Sequence, residues 1–171
     1  MTAIDDKWAA LGGPHGFLGQ PHDEGGGSAE AATPDGRGRF RDFQGGTIYW
    51  TPQTGAHEVH GAIRLKWAQL RGERGFLGYP VTDETGTPDG VGRFNHFQGG
   101  SIYWTPQTGA HEVHGAIREK WASIGWERSF LHYPVSDERI PPSGHGRVSE
   151  FQGGAIVWTP EHGADARHRI D

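Results

Sequence analysis

Hydrophobic and polar positions alternate from Ser101 to Trp104, with Ile102 and Trp104 on one side and Ser101 and Tyr103 on the other, the period of a strand. Pro106 and Gly109 end that run. From Ala110 the period lengthens: Val113, Ile117, Trp121 and Ile124 are 4, 4 and 3 apart, which predicts one face of a helix running to about Ile124, with Gly125 as its stop. Turn signals at Asp89-Gly90 and Gln98-Gly99-Gly100 bracket Arg93 to Phe97, so an antiparallel hairpin of Arg93–Phe97 with Ser101–Trp104 is expected. A lone hairpin is marginal in water, and this one must pack on the helix and its neighbours.

The pattern recurs. Phe43, Phe97 and Phe151 stand 54 residues apart, as do Trp50, Trp104 and Trp158 and the Gly-Gly pairs at Gly45, Gly99 and Gly153. The turns Gly16-Phe17-Leu18-Gly19-Gln20-Pro21, Gly75-Phe76-Leu77-Gly78-Tyr79-Pro80 and Ser129-Phe130-Leu131-His132-Tyr133-Pro134 are three versions of one segment. Each leads into an acidic pair: Asp23-Glu24, Asp83-Glu84 or Asp137-Glu138. The first copy is stretched by Gly25 to Ala32, read as a mobile surface loop. The expected fold is an α+β repeat protein of three units, about 4–62, 63–116 and 117–171, each a short antiparallel hairpin plus a helix. Ile4, Trp8 and Leu11 match Ile63, Trp67 and Leu70, so the chain starts in a helix whose leading His-Glu-Val-His is absent, and the closing His162 to His168 occupies that place in the copy order. Head and tail are therefore expected to meet and close a pseudo-threefold, propeller-like ring, although Arg167 stands where the core Val belongs; the alternative is an open arc capped by its end pieces.

Composition refines this. Only 33% of the 171 residues are hydrophobic, much of that aromatic, and 29 are Gly, which points to a core of few large rings held by tight turns. The formal charge of -5, with 16 basic against 21 acidic residues, lacks the basic footprint of a nucleic-acid binder. Without Cys there is neither a disulfide nor a thiolate metal site. No apolar run reaches the roughly 18 residues of a membrane span, and the opening residues do not read as a signal peptide.

Candidate chemistry is sparse. Trp8, Trp67 and Trp121 are in phase with Ile and belong to the core, as do Trp50, Trp104 and Trp158. If Ile and Trp point inward, Tyr49 and Tyr103 face outward, and an exposed aromatic is an ordinary platform for a sugar ring or peptide; Val157 leaves the third copy degenerate. Trp126 is a non-repeated aromatic in a loop and a candidate contact residue. Arg39, Arg93 and Arg147 recur at 54, suited either to pairing with the recurrent acids or to an anionic polymer. His57 with His60 and His111 with His114 lie three apart at an expected helix start, a spacing that lets two imidazoles share a face and one ion, with Asp83 or Glu84 as a further ligand and Asp165 replacing the first His in the third copy. The bland alternative is a His that caps a turn or bonds a neighbouring backbone. Adjacent Asp-Glu pairs fit a self-satisfied turn better than the separated carboxylates of a glycosidase, and no Ser lies in a nucleophile elbow. Gly36-Arg37-Gly38-Arg39 and Gly90-Val91-Gly92-Arg93 lack the context of a dinucleotide fingerprint.

At Gly75 to Pro80 with Asp83-Glu84, at Phe97 to Trp104, at Gly109-Ala110-His111 and at Val113 to Ile117, the chain resembles the LGFP repeat family over nearly its whole length, with the name-giving tetrad reordered as Phe-Leu-Gly followed by Tyr-Pro or Gln-Pro. The resemblance implies an actinobacterial cell-envelope setting, such repeats often being appended to mycoloyltransferase-like esterases or peptidoglycan amidases. It implies a non-catalytic, lectin-like cell-wall or glycan-binding module, secreted or wall-bound, that takes polysaccharide or peptidoglycan and needs no cofactor, metal or catalytic residue. The competing expectations are a protein-interaction or assembly scaffold that docks a partner through the Trp126 region and the octet Gly25 to Ala32 and, furthest from the residues, a metal-dependent hydrolase.

Overall fold

A computed structural model of the chain describes residues 2–22 and 29–169. In chain order it contains helix α1 (Ala3–Ala10), strands β1 (Ala31–Ala32), β2 (Arg39–Phe43), β3 (Gly46–Thr51) and β4 (Gly55–Val59), helix α2 (Gly61–Gln69), strands β5 (Thr85–Gly86), β6 (Arg93–Phe97), β7 (Gly100–Thr105) and β8 (Gly109–His114), helix α3 (Gly115–Ile124), and strands β9 (Arg147–Phe151), β10 (Gly154–Thr159) and β11 (Gly163–His168). The sheets are antiparallel, in the orders β1-β2-β3-β4, β5-β6-β7-β8 and β11-β10-β9. The chain divides into two compact units, residues 1–84 with 95–98 and residues 85–94 with 99–171. This is an α+β repeat protein; each sheet is open, and among the described residues none closes into a barrel or propeller.

In the first unit, α1 packs on β3 and β4 through Ile4, Trp8 and Leu11, which meet Ile48, Trp50 and Phe43. The opposite face of β3 is also covered, because Tyr49 meets the indole of Trp67 on α2 edge-on at 4.8 Å. In the second unit, α3 takes Tyr103 of β7 against Trp121 at 4.7 Å and also packs on β10 and β11 beside Ile156. Period-2 alternation thus survives with both sides of β3 buried: Ile48 and Trp50 meet α1, the helix before the sheet, and Tyr49 meets α2, the helix after it. Such two-sided burial explains why a third of the residues being hydrophobic is enough when the rings are large.

The recurring letters have local reasons. Each helix Trp donates its indole N–H to the carbonyl of the Phe-Leu-Gly turn: Trp8 to Gly19 at 2.8 Å, Trp67 to Gly78 at 3.0 Å, Trp121 to His132 at 3.2 Å. Each Phe-Gln-Gly-Gly turn answers the same segment, with the Gln98 and Gln152 side chains accepting the Tyr79 and Tyr133 amides at 3.0 and 3.2 Å. Gly at this turn is obligatory, since a Cβ on Gly45 would lie 2.2 Å from the Phe17 carbonyl oxygen and one on Gly153 1.9 Å from that of Phe130. Tyr79 and Tyr133 then act as latches to the preceding repeat: the Tyr79 hydroxyl donates to Asp35 at 2.6 Å and meets Thr33 at 2.8 Å, and Tyr133 does the same with Asp89 and Thr87 at 2.7 and 2.8 Å.

Several expectations change. The helix begins at Gly115, not Ala110; His111 to His114 belong to β8, and Val113 reaches the core as a strand residue. Gly61 and Gly115, both at φ 58°, turn the chain out of the strand and into the helix, so the 4-residue step from Val113 to Ile117 spans a junction and is not a helical period. His-Glu-Val-His therefore belongs to the end of a sheet and not to the start of a helix, and α1 carries a capping box formed by Thr2 and Asp5. The tail strand β11 pairs with β10 in its own sheet. Part of the octet read as a loop is ordered, with Ala31 and Ala32 paired to Phe40 and Arg39. Asp23 and Glu24 lie outside the described residues, and counting 54 back from Glu138 and Glu84 makes Glu30 the counterpart acid of the first copy.

Candidate functional site

Leu18, Leu77 and Leu131 of the Phe-Leu-Gly turns are fully buried, which leaves the preceding ring no inward path. Phe17, Phe76 and Phe130 accordingly stand at the surface, 52, 49 and 36% exposed. Phe17 lies on the His60 imidazole, with ring centres 4.8 Å apart, and Phe130 stacks on His168 at 3.8 Å and 20°. One outward ring per repeat, with Phe17 and Phe130 each on an imidazole, is a surface feature that no reading of Tyr49 and Tyr103 contained. Its sequence signal was available in the thrice-repeated Phe beside a core Leu.

Behind Phe17 sits a charged cluster. In an extended backbone Glu58 and His60 share a side, and His60 Nδ1 bonds Glu58 at 2.6 Å while Nε2 reaches Glu84 at 3.0 Å. Two carboxylate acceptors require both ring nitrogens to donate, and the hydrogen bonds from Glu58 and then Glu84 raise His60 to about 9 against the opposing effect of burial. His114 lies between Glu112 at 2.7 Å and Glu138 at 3.3 Å and is raised chiefly by its bond to Glu112, against burial, with the charge of both carboxylates adding to it. Burial pushes the Glu138 carboxyl up, and the charged His114 opposes it. The third copy has Ala166 where the Glu would be, and His168 is left to Phe130. Neighbouring Asp83 accepts from Lys7 at 2.9 Å, bonds His57 at 3.1 Å and takes the Glu58 amide. Burial would raise its carboxyl, but these donors outweigh it and hold Asp83 at about 2. The acidic pairs are thus the clamps of this cluster. Nor do His57 and His60 share a helical face, since His57 is on β4 and bonds the Thr54 carbonyl, and among the described residues no group of three His, Asp or Glu is arranged to hold a metal ion.

A groove of about 380 Å³ opens in the first unit beside Tyr49, Trp67 and Arg64, walled by Arg71, Glu73 and Arg74. Tyr49 is half-buried at its floor, stacked on Phe40 at 5.5 Å, and burial pushes its phenol up. Arg64 is fixed by its bond to Thr47 at 2.9 Å. Tyr103, by contrast, is 3% exposed and belongs to the core, which corrects its outward placement. Trp126 is half-buried as well: it stacks on Tyr103 with ring centres 6.0 Å apart, meets Trp121 edge-on at 5.2 Å and lies under the Arg118 guanidinium at 5.1 Å. Arg39 is exposed but paired with Glu30 at 2.8 Å, and Arg93 is exposed opposite Gly86. Tyr49 and Arg39 therefore remain accessible in the first unit, and Arg93 in the second, while Tyr103 is closed.

The geometry defines a repeat-built module whose recurring letters build the frame and whose outward rings face solvent, with a groove open beside Tyr49 in the first unit. The family model of the LGFP repeat matches three times, at residues 27–75, 77–129 and 131–168, and the chain belongs to that family. No curated protein matches the sequence. No helix among the described residues is long and apolar enough to cross a membrane.

Proposed function

We propose that the chain is a non-catalytic attachment module for cell-wall polysaccharide or peptidoglycan, working at the cell wall. The observation that carries this reading is the outward ring repeated in every copy, Phe17, Phe76 and Phe130. A flat apolar face beside polar groups suits the C–H face of a sugar, and three weak contacts on one chain gain by avidity on a polymer what each lacks alone. Arg39 and Arg93 supply cationic edges for an anionic polymer. The carboxylates that sequence offers for hydrolysis are engaged instead by Lys7, His57, His60 and His114, which favours attachment over chemistry.

Retention on purified actinobacterial wall and on arabinogalactan-free peptidoglycan tests it. Single Phe→Ser changes are expected to weaken retention modestly and the triple change to abolish it with folding intact. Equal retention of the triple variant, or none by the parent on either material, overturns the reading.

A further inference from the structure

The groove beside Tyr49 has a counterpart one repeat later, and there it is filled. Counting 54 residues on, Tyr49, Arg64, Trp67, Glu73 and Arg74 become Tyr103, Arg118, Trp121, Glu127 and Arg128, the same five residue types. Gly72 becomes Trp126. The backbone at the two positions is alike, φ 56° for Gly72 and 57° for Trp126, and a Cβ on Gly72 would point at the Trp67 ring from 4.0 Å, an ordinary contact distance. In the second copy the indole lies between Tyr103, Trp121 and Arg118. The covered groups are correspondingly dry: Tyr103 and Glu127 are buried where Tyr49 and Glu73 are half-buried, and Arg118 is half-buried where Arg64 is exposed. Arg64 and Arg118 hold the same posture, each donating from Nε to a strand hydroxyl, Thr47 at 2.9 Å and Ser101 at 2.8 Å. The chain therefore carries one copy of this site with its occupant built in and one copy without.

We propose that the first-repeat groove receives the indole of a tryptophan from an acidic segment of a partner protein. The floor and lid are those that hold the Trp126 indole, and the volume falls within the roughly 300–1,000 Å³ of ligand pockets. Sign follows from the rim: Arg64, Arg71 and Arg74 outnumber Glu73 and Asp42, the latter 3.7 Å from Arg64, and Arg71 replaces the Gly125 of the closed copy, so carboxylates flanking the indole meet complementary charge. This contact goes beyond wall attachment, uses none of the three outward phenylalanines, and is separable from it.

The test is titration of the ¹⁵N-labelled full chain with acetyl-Asp-Trp-Glu-amide, following the Trp67 indole N–H and the backbone amides of residues 71–74. Saturable shifts at these positions are expected, with none from acetyl-Asp-Ala-Glu-amide and affinity roughly tenfold weaker for acetyl-Lys-Trp-Lys-amide, the effect of reversing two exposed charge contacts. Gly72→Trp plugs the groove as Trp126 does and abolishes the shifts, while wall retention is unchanged. Should that variant fail to fold, the Arg71→Glu/Arg74→Glu double variant takes its place, with acidic-peptide binding lost and Lys-Trp-Lys binding gained. Trp126→Gly opens the second copy, and free indole is expected to raise its melting temperature but not that of the parent. Absence of saturable shifts, undiminished binding by the plugged or charge-reversed variant, no rescue of Trp126→Gly by indole, or chitotetraose moving the same resonances at lower concentration than the peptide each overturns the proposal, the last by giving the groove to a sugar.

Discussion

The clamp on His60 makes stability depend on pH in the alkaline direction. In the folded chain Glu58 and Glu84 each need an N–H from the ring, and only the imidazolium has two. Its folded pKa of about 9 stands above the ordinary 6.5, so the stabilisation is fully present below pH 6.5 and disappears as the pH rises through 9. The difference corresponds to at most about 3 kcal/mol, with the quarter of the side chain that remains exposed trimming it. Urea unfolding of the parent and of His60→Gln from pH 6 to 10 isolates the effect, because His114 titrates in both and cancels in the difference. The variant is expected to be weaker by about 2–3 kcal/mol at pH 6, and the gap to narrow as deprotonation leaves Glu58, 2% exposed, facing a ring with one donor. A gap that stays constant across this range, or a ring that titrates near 6.5 by NMR, refutes the argument.

Other consequences follow from the same contacts. Tyr79→Phe removes the hydroxyl shared by Asp35 and Thr33 and is expected to cost about 1–3 kcal/mol in thermal unfolding; combined with Asp35→Ala the losses should fall short of their sum, since one bond is deleted twice. Asp83 is held at about 2, so its contribution is present above its ordinary value near 3.8 and lost as pH falls through 2; Lys7→Met should raise its midpoint, read from the side-chain carboxyl resonance. Gly45→Ala meets the Phe17 carbonyl at 2.2 Å and should destabilise by at least about 2 kcal/mol, measured by urea unfolding.

The repeat, its strand hairpins, the helix stop at Gly125 and the core role of Trp8, Trp67 and Trp121 were legible because each rests on local chemistry: alternation, a left-handed glycine at φ 117°, a periodic indole. What misled was a period counted across a break. Val113 and Ile117 both reach the core, one from a strand and one from a helix, and four residues of spacing cannot distinguish this from one helical turn of a single element. Side assignment failed at Tyr103 for a different reason. Alternation says which residues share a face but not whether a face is solvated, and the face of Tyr103 is covered by Trp121 of α3 and by Trp126. The histidine pairing was misplaced by the same boundary, since His60 partners Glu58 by strand geometry and not His57 by helical geometry.

Near-identity between the copies carries the frame, so the positions where copies differ are the informative ones. Tyr79 and Tyr133 reach back to Asp35 and Asp89, whereas the corresponding residue of the first turn is Gln20, and the third copy has Ser143 in place of the accepting Asp. Each latch is thus a two-residue match between consecutive copies, made by Tyr79 with Asp35 and by Tyr133 with Asp89. Gly72 and Trp126 obey the same logic in the opposite sense. An αL position that costs a bulky residue roughly 1–3 kcal/mol is kept as Gly in one copy and given to Trp in the next. The second choice recovers its strain by burying an indole against Tyr103 and Trp121. With the same Tyr, Arg, Trp, Glu and Arg around the position in both copies, the first must obtain that burial from outside the chain or leave the groove wet, and the acidic indole peptide decides which.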